Sequence, residues 1–245
     1  MKAILLGAGY ATRLYPLTKD KAKPLLEVAG KTITDHIVEK ITSVPEIDEI
    51  IIVTNNKFAN QFENWVAQAN YDIQLTVVND GTLTNETRLG AIGDIQYVID
   101  QEDVADDLLI LAGDNLFEFE LSEFVNFAKK YNSDALAMYY EDEINQLKRN
   151  GTASFDDNGD VTDFIEKPEN PSYRYCVPTF YVLKETTLPL IKQYLNEGHN
   201  PDAPGNFIPY LIRNKKVKAF VFEGKRYDIG TIESYNKVQE IFKDK

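Results

Sequence analysis

The sequence begins with MKAILLGAGYATRLYPLTKDKAKPLL, residues 1–26, and this stretch decides which kind of fold to expect. Its first part, KAILLG, is a short apolar run that predicts a β-strand, and a glycine-rich turn follows it directly. Such a turn after a first strand holds a dinucleotide in one class of α/β fold and a triphosphate in another. The residues that follow the turn discriminate between these two classes.

Two prolines after the turn argue against a dinucleotide site. A dinucleotide-binding fold needs G-x-G-x-x-G and then a helix at once, whereas GAGYAT supplies only the first two glycines. Pro16 falls where the first or second helical turn would run, and Pro24 breaks the next stretch. Because proline inside a helix costs about 3 kcal/mol, no regular helix is expected to present its N-terminus to a pyrophosphate here.

The turn instead leads into a basic, proline-stiffened loop that is predicted to be extended. Gly7 and Gly9 allow the backbone to come close to a phosphate, Arg13 offers a planar fork of donors, and Lys23 offers a point charge. The tripeptide at residues 30–32, Gly-Lys-Thr, imitates the end of a P-loop but lacks the first glycine that the motif needs at position 25. We therefore expect the loop to wrap a nucleoside triphosphate.

The composition excludes several classes of protein. The single cysteine, Cys176, rules out an internal disulfide, and the histidines, His36 and His199, are too far apart in sequence to favour a zinc site, so we expect all three to be structural. A net charge of −13 argues against a nucleic-acid partner. No apolar run approaches the roughly 18 residues of a membrane span, and the N-terminus does not resemble a signal peptide. A cytoplasmic protein with no membrane partner is expected.

The hydrophobic pattern predicts an α/β fold. Apolar strand-like runs alternate with amphipathic helical patterns as far as DALAMYYED, residues 134–142. The later chain predicts a pair of strands joined by an Asn-Gly turn, further strands, and a closing helix. Pro178 predicts a bulge or an edge position within RYCVPTFYVLK. The expected architecture is three-layer α/β/α with a mainly parallel, mixed, Rossmann-like sheet.

We expect one domain over residues 1–245. Residues 1–115 form its predicted nucleotide-binding half and residues 116–245 its acceptor-binding half. Ligands of open α/β sheets lie beyond the carboxyl ends of the strands, where three polar segments fall: the glycine turn, GDN at residues 113–115 and YDIGT at residues 227–231. Their common position predicts a single site.

Four blocks of the sequence together resemble the sugar-1-phosphate nucleotidyltransferases, the pyrophosphorylases that make nucleotide sugars. The blocks are GAGYATRLYPLTKDKAKPLLEVAGKTITDHIV (7–38), LLILAGDN (108–115), RNGTASFDDNGDVTDFIEKPENP (149–171) and EGKRYDIGTIESYNKV (223–238). They occur in the family's order and span nearly the whole chain. The resemblance implies the nucleotide-diphospho-sugar transferase type of fold and, because the chain ends soon after YDIGT, no trailing β-helix domain.

The resemblance also implies a reaction. A sugar-1-phosphate oxygen attacks the α-phosphorus of a nucleoside triphosphate, and pyrophosphate leaves. Arg13 is expected to stabilise the pyrophosphate and Lys23 the α-phosphoryl group, whereas Asp114 and Asp228 hold Mg²⁺. The catalytic set so implied also includes Lys167, which neutralises the sugar phosphate. Members often assemble as dimers or tetramers, so a homo-oligomer is a possible state.

The binding residues implied by the same resemblance fall into two sets. The nucleotide-binding set is Leu6, Gly7, Ala8, Gly9, Arg13, Lys23 and Gly90, and the sugar-phosphate set is Gly151, Glu166, Lys167 and Thr179. Glu166 is expected to accept hydrogen bonds from sugar hydroxyls, and Gly151 to let the backbone approach the sugar ring.

Several departures from the family pattern leave the substrates open. Ala11 replaces a glycine, which is tolerable if its φ is negative. Thr87 and Leu89 replace small residues of the base-reading stretch, and Thr179 replaces a glycine that faces the sugar. AGDNLF, residues 112–117, resembles the glucose-1-phosphate thymidylyltransferases and favours thymidylyl or uridylyl transfer.

Two other functions remain open on the sequence. One is CTP-dependent cytidylyl transfer to phosphocholine or another alcohol phosphate, which is the alternative within the enzymatic class. The other is a non-catalytic module that senses nucleotides or sugar phosphates. Sensing modules tend to lose the metal-binding Asp or the loop cations, whereas this chain retains Arg13, Lys23, Asp114 and Asp228.

Overall fold

The structure, a computed structural model, describes residues 1–243 and contains fourteen strands and eight α-helices in that part of the chain. The strands are β1 (Lys2–Leu6), β2 (Glu27–Val28), β3 (Lys31–Thr32), β4 (Glu49–Thr54), β5 (Gln74–Asn79), β6 (Leu108–Ala112), β7 (Asn115–Phe117), β8 (Asp134–Tyr140), β9 (Thr152–Phe155), β10 (Val161–Ile165), β11 (Tyr175–Cys176), β12 (Phe180–Leu183), β13 (Val217–Val221) and β14 (Arg226–Asp228). The helices are α1 (Ile33–Thr42), α2 (Ala59–Gln68), α3 (Ala91–Gln101), α4 (Leu121–Tyr131), α5 (Ile144–Leu147), α6 (Leu188–Asn196), α7 (Ile208–Asn214) and α8 (Ile232–Phe242).

The predicted fold class is confirmed: the chain is an α/β protein with a mixed central sheet and helices on both of its sides. By its internal contacts the chain divides into two compact units. The first unit comprises Met1–Leu89, Ala112–Leu121 and residues 224–243, and the second comprises Gly90–Leu111 and Ser122–Glu223. The single domain with halves that meet near residue 115 stays a prediction.

The first unit is built on three parallel strands. β4 pairs with β1 on one side and with β5 on the other, and every residue of β4 is buried. This all-buried strand explains why the sequence shows a continuous apolar run, EIIIVT, rather than an alternating pattern. A separate ribbon in this unit pairs β7 with β14 in antiparallel register.

The second unit is organised around β8. This strand pairs in antiparallel fashion with β12 and β11 and in parallel fashion with β13. β12 continues to β6, and β11 continues to the β9–β10 hairpin. The parallel pairing expected for the chain thus characterises the first unit, whereas most pairs within the second unit are antiparallel.

Local sequence signals account for most of the turns. The predicted Asn-Gly turn joins β9 to β10, with Gly159 at φ 75°, where a residue with a side chain is strained. Pro178 separates β11 from β12, so the long predicted strand is two short ones. The false P-loop segment forms the β2–β3 turn and then caps α1, because the Thr32 hydroxyl accepts a hydrogen bond from Asp35 N at 3.0 Å.

The basic loop after the glycine turn differs from the extended conformation that we predict. It contains two 3₁₀ turns, at Thr12–Leu14 and Lys23–Leu25. Neither is a regular helix, as Pro16 and Pro24 predict. No helix within residues 1–243 is long and apolar enough to cross a membrane.

Candidate active site

Two carboxylates lie side by side in the first unit. Asp114 lies in the two-residue turn between β6 and β7, and Asp228 ends β14. The antiparallel register of β7 and β14 places Asp228 opposite Asn115, and Ile229 N donates to the Asp114 carbonyl oxygen at 3.1 Å. The structure therefore brings the acidic residues of the GDN and YDIGT segments together, although they are far apart in the sequence.

A lysine from the basic loop meets this pair. Lys23 Nζ donates to Asp114 Oδ2 at 2.7 Å, and Lys23 is only 8% exposed. Gly113 makes the approach possible, because a methyl group there would lie 2.7 Å from the Leu6 carbonyl oxygen and 3.1 Å from Pro24 Cγ. The glycine of GDN thus lets the turn pack onto the end of β1 and beside Lys23.

Charges from several segments set the protonation of the two acids. Burial alone would raise the pKa of Asp114, but Lys23 and Arg226 hold it below its usual range. Desolvation and the neighbouring Asp114 carboxylate raise the pKa of Asp228, which Arg226, Lys23 and Arg13 oppose. The pair is thus an electrostatically coupled unit in which two negative charges share three cations.

Arg226 is a member of this cluster that the sequence analysis missed. Its Nε donates to Asn115 Oδ1 at 2.6 Å, and one guanidinium nitrogen lies 3.6 Å from Asp228 Oδ1. Asn115 in turn donates to Asp114 Oδ1 at 2.6 Å. The sequence does contain a signal for Arg226. Residues i and i+2 of a strand share a face, so a strand through RYD would place Arg226 beside Asp228.

Arg13 lies in the first 3₁₀ turn and is exposed, which leaves its guanidinium accessible. Ala11, which precedes this turn, does not have the negative φ that would make alanine easily tolerated in place of the family's glycine. Its φ of 47° and ψ of 41° are left-handed, a conformation that costs an L-residue roughly 1–2 kcal/mol. Thr18 Oγ1 donates to the Ala11 carbonyl at 2.8 Å and holds the turn in this shape.

The glycine turn is braced by the strand beside it. Gly7 N donates to the Val53 carbonyl at 2.8 Å, and Asn55 Nδ2 donates to the Ala8 carbonyl at 2.8 Å. A methyl group at position 7 would lie 3.1 Å from Val53 O, so packing accounts for this glycine. A methyl group at position 9 would meet no atom within 4 Å, which leaves the space beside Gly9 open. Leu6 ends β1, directly before the turn.

The second unit carries a smaller charged group. Glu166 follows β10, and its Oε1 lies 3.7 Å from the Nζ of Lys167. Burial raises the pKa of Glu166, and Lys167 opposes this effect only in part. Lys167 has φ 45° and an exposed side chain. The unit therefore presents a carboxylate with little internal compensation beside an accessible ammonium group.

The other predicted residues of the second unit lie on separate segments. Gly151 directly precedes β9 and lies against Glu166, because a methyl group there would be 2.9 Å from Glu166 Oε2. Gly90 precedes α3 with φ 81°, and Thr179 precedes β12. The structure thus joins Gly151, Glu166 and Lys167, and it places Gly90 and Thr179 elsewhere in the unit.

The donor set of the first unit fits Mg²⁺. Asp114 and Asp228 supply hard carboxylate oxygens, and Mg²⁺ is usually held by one or two carboxylates together with substrate phosphates. Within residues 1–243 no group of three or more His, Cys, Asp or Glu side chains could hold a metal ion. The two carboxylates are therefore suited to an ion that arrives with phosphate oxygens rather than to an all-protein metal cage.

Comparison with known proteins identifies a family model and relatives that match nearly the whole chain. The family model described as nucleotidyl transferase matches residues 2–245. The bifunctional protein GlmU of Methanocaldococcus jannaschii is 29% identical over 234 residues, which cover 94% of this chain and 51% of that protein. The UTP–glucose-1-phosphate uridylyltransferase AglF of Haloferax volcanii is 26% identical over 241 residues, with 98% and 96% coverage. The chain thus spans about half the length of the first of these relatives and nearly all of the second.

A solved structure shares the whole fold. The crystal structure of a UDP-glucose pyrophosphorylase complexed with UDP-glucose has a TM-score of 0.83 and 19% sequence identity. The match covers 99% of this chain and 98% of that one. At this level of identity the likeness supports the architecture.

Proposed function

We propose that this chain, which belongs to the nucleotidyl transferase family, transfers a nucleotidyl group from a nucleoside triphosphate to a sugar-1-phosphate and releases pyrophosphate. The observation that carries the proposal is the cluster of Lys23, Arg226 and the two carboxylates Asp114 and Asp228, with Arg13 exposed nearby in the same unit. Opposite charges gathered at strand ends are what an in-line displacement at phosphorus needs, because its barrier is lowered by electrostatic stabilisation and positioning.

In the proposed reaction a phosphate oxygen of the sugar-1-phosphate forms a bond to the α-phosphorus, and the bond from that phosphorus to pyrophosphate breaks. Arg13 stabilises the departing pyrophosphate, and Lys23 stabilises the α-phosphoryl group while Asp114 orients its ammonium. The open space at Gly9 admits the triphosphate to the glycine turn, and Gly90 contributes to the nucleotide side.

Asp114 and Asp228 are the residues that would hold Mg²⁺. When bound, the ion supplies charge neutralisation on the phosphate oxygens. Asn115 and Arg226 restrain the two carboxylates by hydrogen bonding and ion pairing, so that the acids are oriented before substrate arrives. Arg226 also limits the repulsion between the two acids.

The sugar-1-phosphate is the acceptor of the nucleotidyl group. On this acceptor side, Lys167 neutralises the sugar phosphate and Glu166 accepts hydrogen bonds from sugar hydroxyls. This assignment rests on the carboxylate of Glu166, whose charge Lys167 compensates only in part, and on the exposure of Lys167. Gly151 lies against Glu166, and Thr179 completes the proposed set.

We propose glucose 1-phosphate as the first acceptor to test, with UTP or dTTP as the nucleotide donor. A relative that covers nearly the whole chain is named a UTP–glucose-1-phosphate uridylyltransferase.

A substrate panel with a pyrophosphate readout tests the proposal. ATP, CTP, GTP, UTP and dTTP are each combined with glucose, mannose and galactose 1-phosphates and with phosphocholine, with Mg²⁺ and with excess EDTA. Pyrophosphate release with a sugar phosphate that EDTA abolishes is expected. Release only from CTP with phosphocholine would favour the cytidylyltransferase alternative. Binding without release from any pair would favour a sensing module, and release in EDTA would contradict the metal assignment.

A further inference from the structure

The carboxylate of Glu166 lies in a narrow slot between two glycines of the second unit. Gly151 forms one wall, and Gly205, in the segment that precedes α7, forms the other. A methyl group at position 205 would overlap Glu166 Oε2 and would lie 2.9 Å from both Glu166 Cδ and Phe164 Cζ. Carbon atoms pack best at about 3.5–4.0 Å, so neither wall has room for a side chain.

Shape rather than hydrogen bonding therefore positions this carboxylate. Its one ion-pair partner in the described part of the chain is Lys167, at 3.7 Å from Oε1, and that side chain is mostly exposed. Oε2 faces Gly205. Phe164, which is 3% exposed, packs against both glycines and keeps the slot from collapsing. An acceptor oxygen held in this way keeps its capacity to receive hydrogen bonds from a ligand.

The segment that supplies Gly205 also supports Gly90. The carbonyl oxygens of Pro201 and Asp202 accept hydrogen bonds from Ile92 N at 2.9 Å and Ala91 N at 3.1 Å. A methyl group at position 90 would lie 2.6 Å from the Pro201 carbonyl oxygen. The stretch 199–207 thus contacts the proposed nucleotide-side glycine near one end and the proposed acceptor carboxylate near the other.

We propose that Gly205 is a positioning residue for the acceptor: its missing side chain creates the slot that holds the Glu166 carboxylate, which makes the segment 199–207 part of the acceptor site. This inference rests on the proposed function, because it takes Glu166 as the group that contacts the acceptor. A side chain at position 205 displaces the carboxylate and weakens its hydrogen bonds to the sugar hydroxyls, whereas the triphosphate loses no contact.

A double-mutant cycle of Gly205→Ala and Glu166→Ala tests this, with glucose 1-phosphate and UTP as the probes. We expect Gly205→Ala to raise the KM for glucose 1-phosphate about tenfold, as when a hydrogen bond to a charged group is misplaced, and to leave the KM for UTP nearly unchanged. Glu166→Ala is expected to raise the same KM at least as much. Gly205→Ala added to Glu166→Ala should change it by less than about twofold, because the displaced group is already gone.

Thermal unfolding of the same four proteins gives a readout that needs no turnover. Gly205→Ala alone is expected to lower Tm by about 5 °C through overpacking. In the Glu166→Ala background the loss should be clearly smaller, because the overlap with the carboxylate is gone and only the 2.9 Å approach to Phe164 Cζ remains. If the single variant does not fold, the double variant is expected to fold. Additive losses of Tm, or a double variant that also fails to fold, would overturn the proposal.

The matched control is Gly159→Ala, in the same unit. Position 159 has φ 75° and open space, so alanine there strains the backbone but displaces no side chain. Its Tm should fall while both KM values stay unchanged. A rise in the acceptor KM in this control would mean that any destabilised second unit gives the result, and the proposal would fail. If the wild-type protein releases no pyrophosphate at all, the proposed function fails, while the Tm cycle still decides whether the slot exists.

Discussion

The two charged groups of this protein are built on opposite principles. In the first unit, Asp114 is engaged by Lys23 and Asn115, and Asp228 by Arg226. In the second unit, Glu166 has Lys167 at 3.7 Å, and Gly205 limits its position by lack of space. The first group is restrained by charge and hydrogen bonds, whereas the second is restrained by steric fit.

The two groups differ in how far the charge of each carboxylate is already balanced, and therefore in which carboxylate can still accept hydrogen bonds from a ligand. Lys23 and Arg226 lower the pKa of Asp114, so its negative charge is stabilised before any ligand arrives. Burial raises the pKa of Glu166, so its negative charge still lacks full compensation. A group that is already neutralised suits a reaction in which charge moves past it, and an uncompensated acceptor suits recognition of hydroxyl donors. We therefore expect substitutions in the first unit to affect kcat most and substitutions in the second to affect KM.

Among the substitutions that test this difference between the units, Asp114→Asn is expected to have the largest effect. We expect kcat to fall by about 10³-fold, because the neutral amide cannot supply the negative charge that the proposed magnesium site needs. Lys23 can still donate to the amide oxygen, so Tm should change little. Pyrophosphate release and thermal unfolding measure the two effects. Asp48→Asn, an exposed residue of the same unit, is the control, and near-normal turnover in Asp114→Asn would contradict the assignment.

The next largest effect is expected for Glu166→Gln. The side chain keeps its size but loses its charge, so the acceptor KM should rise about tenfold while kcat changes less. Steady-state kinetics with the acceptor and the triphosphate varied separately measure this split. Glu169→Gln, which changes an exposed acid three residues away, should leave both parameters unchanged. A fall in kcat with no change in the acceptor KM would contradict the expectation that substitutions in the second unit affect mainly KM.

Asp35 lies outside both charged groups, and we expect its carboxylate to contribute to stability and not to turnover. Asp35 accepts hydrogen bonds from Thr32, Trp65 and Tyr71, and these hold its pKa below the usual range even though burial opposes them. We expect Asp35→Asn to reduce the free energy of unfolding by about 1–2 kcal/mol at pH 7 and to leave turnover intact.

The pH dependence of this loss has a definite sign. A depressed pKa stabilises the folded protein above the unfolded-state pKa of about 3.9, and this contribution is lost as the pH falls through the folded-state value. The difference between wild type and Asp35→Asn should therefore shrink below about pH 4. Urea unfolding between pH 7 and pH 3 measures it, with the exposed Asp72→Asn as control. A difference that grows on acidification would contradict the assignment.

The smallest expected effect concerns the backbone of the first unit. Ala11 is left-handed at φ 47°, so Ala11→Gly should relieve strain and raise the free energy of unfolding by about 0.5 kcal/mol, after the greater entropy of unfolded glycine is subtracted. Ala22→Gly, at φ −60°, should instead destabilise. Chemical denaturation compares them. A loss of stability in Ala11→Gly would show that position 11 stores no strain.

Much of the fold could be predicted because its signals are local. The apolar run of β4 and the Asn-Gly turn before Asp160 each depend on neighbouring residues, and the structure confirms them. The prediction of a single strand with a bulge or an edge position at Pro178 was wrong, because Pro178 separates two interior strands, β11 and β12. The family predicted from four motif blocks is confirmed by a match to residues 2–245. The 3₁₀ turns of the basic loop and the φ of Ala11 were not predictable, because they accompany side-chain hydrogen bonds that form only in the folded loop, from Thr18 Oγ1 to the Ala11 carbonyl and from Thr34 Oγ1 to the Pro24 carbonyl.

The sequence by itself determined most of the main-sheet strands and the longer helices, their order, and which residues carry charge at the strand ends, since backbone periodicity and turn chemistry act over a few residues. Only the tertiary structure decided that Arg226 joins Asp228 to Asn115 and that Gly205 closes on Glu166. Both are contacts between side chains or backbone from distant parts of the chain. Steric fit and Coulomb attraction of this kind depend on separations of a few ångströms that arise only when the elements pack.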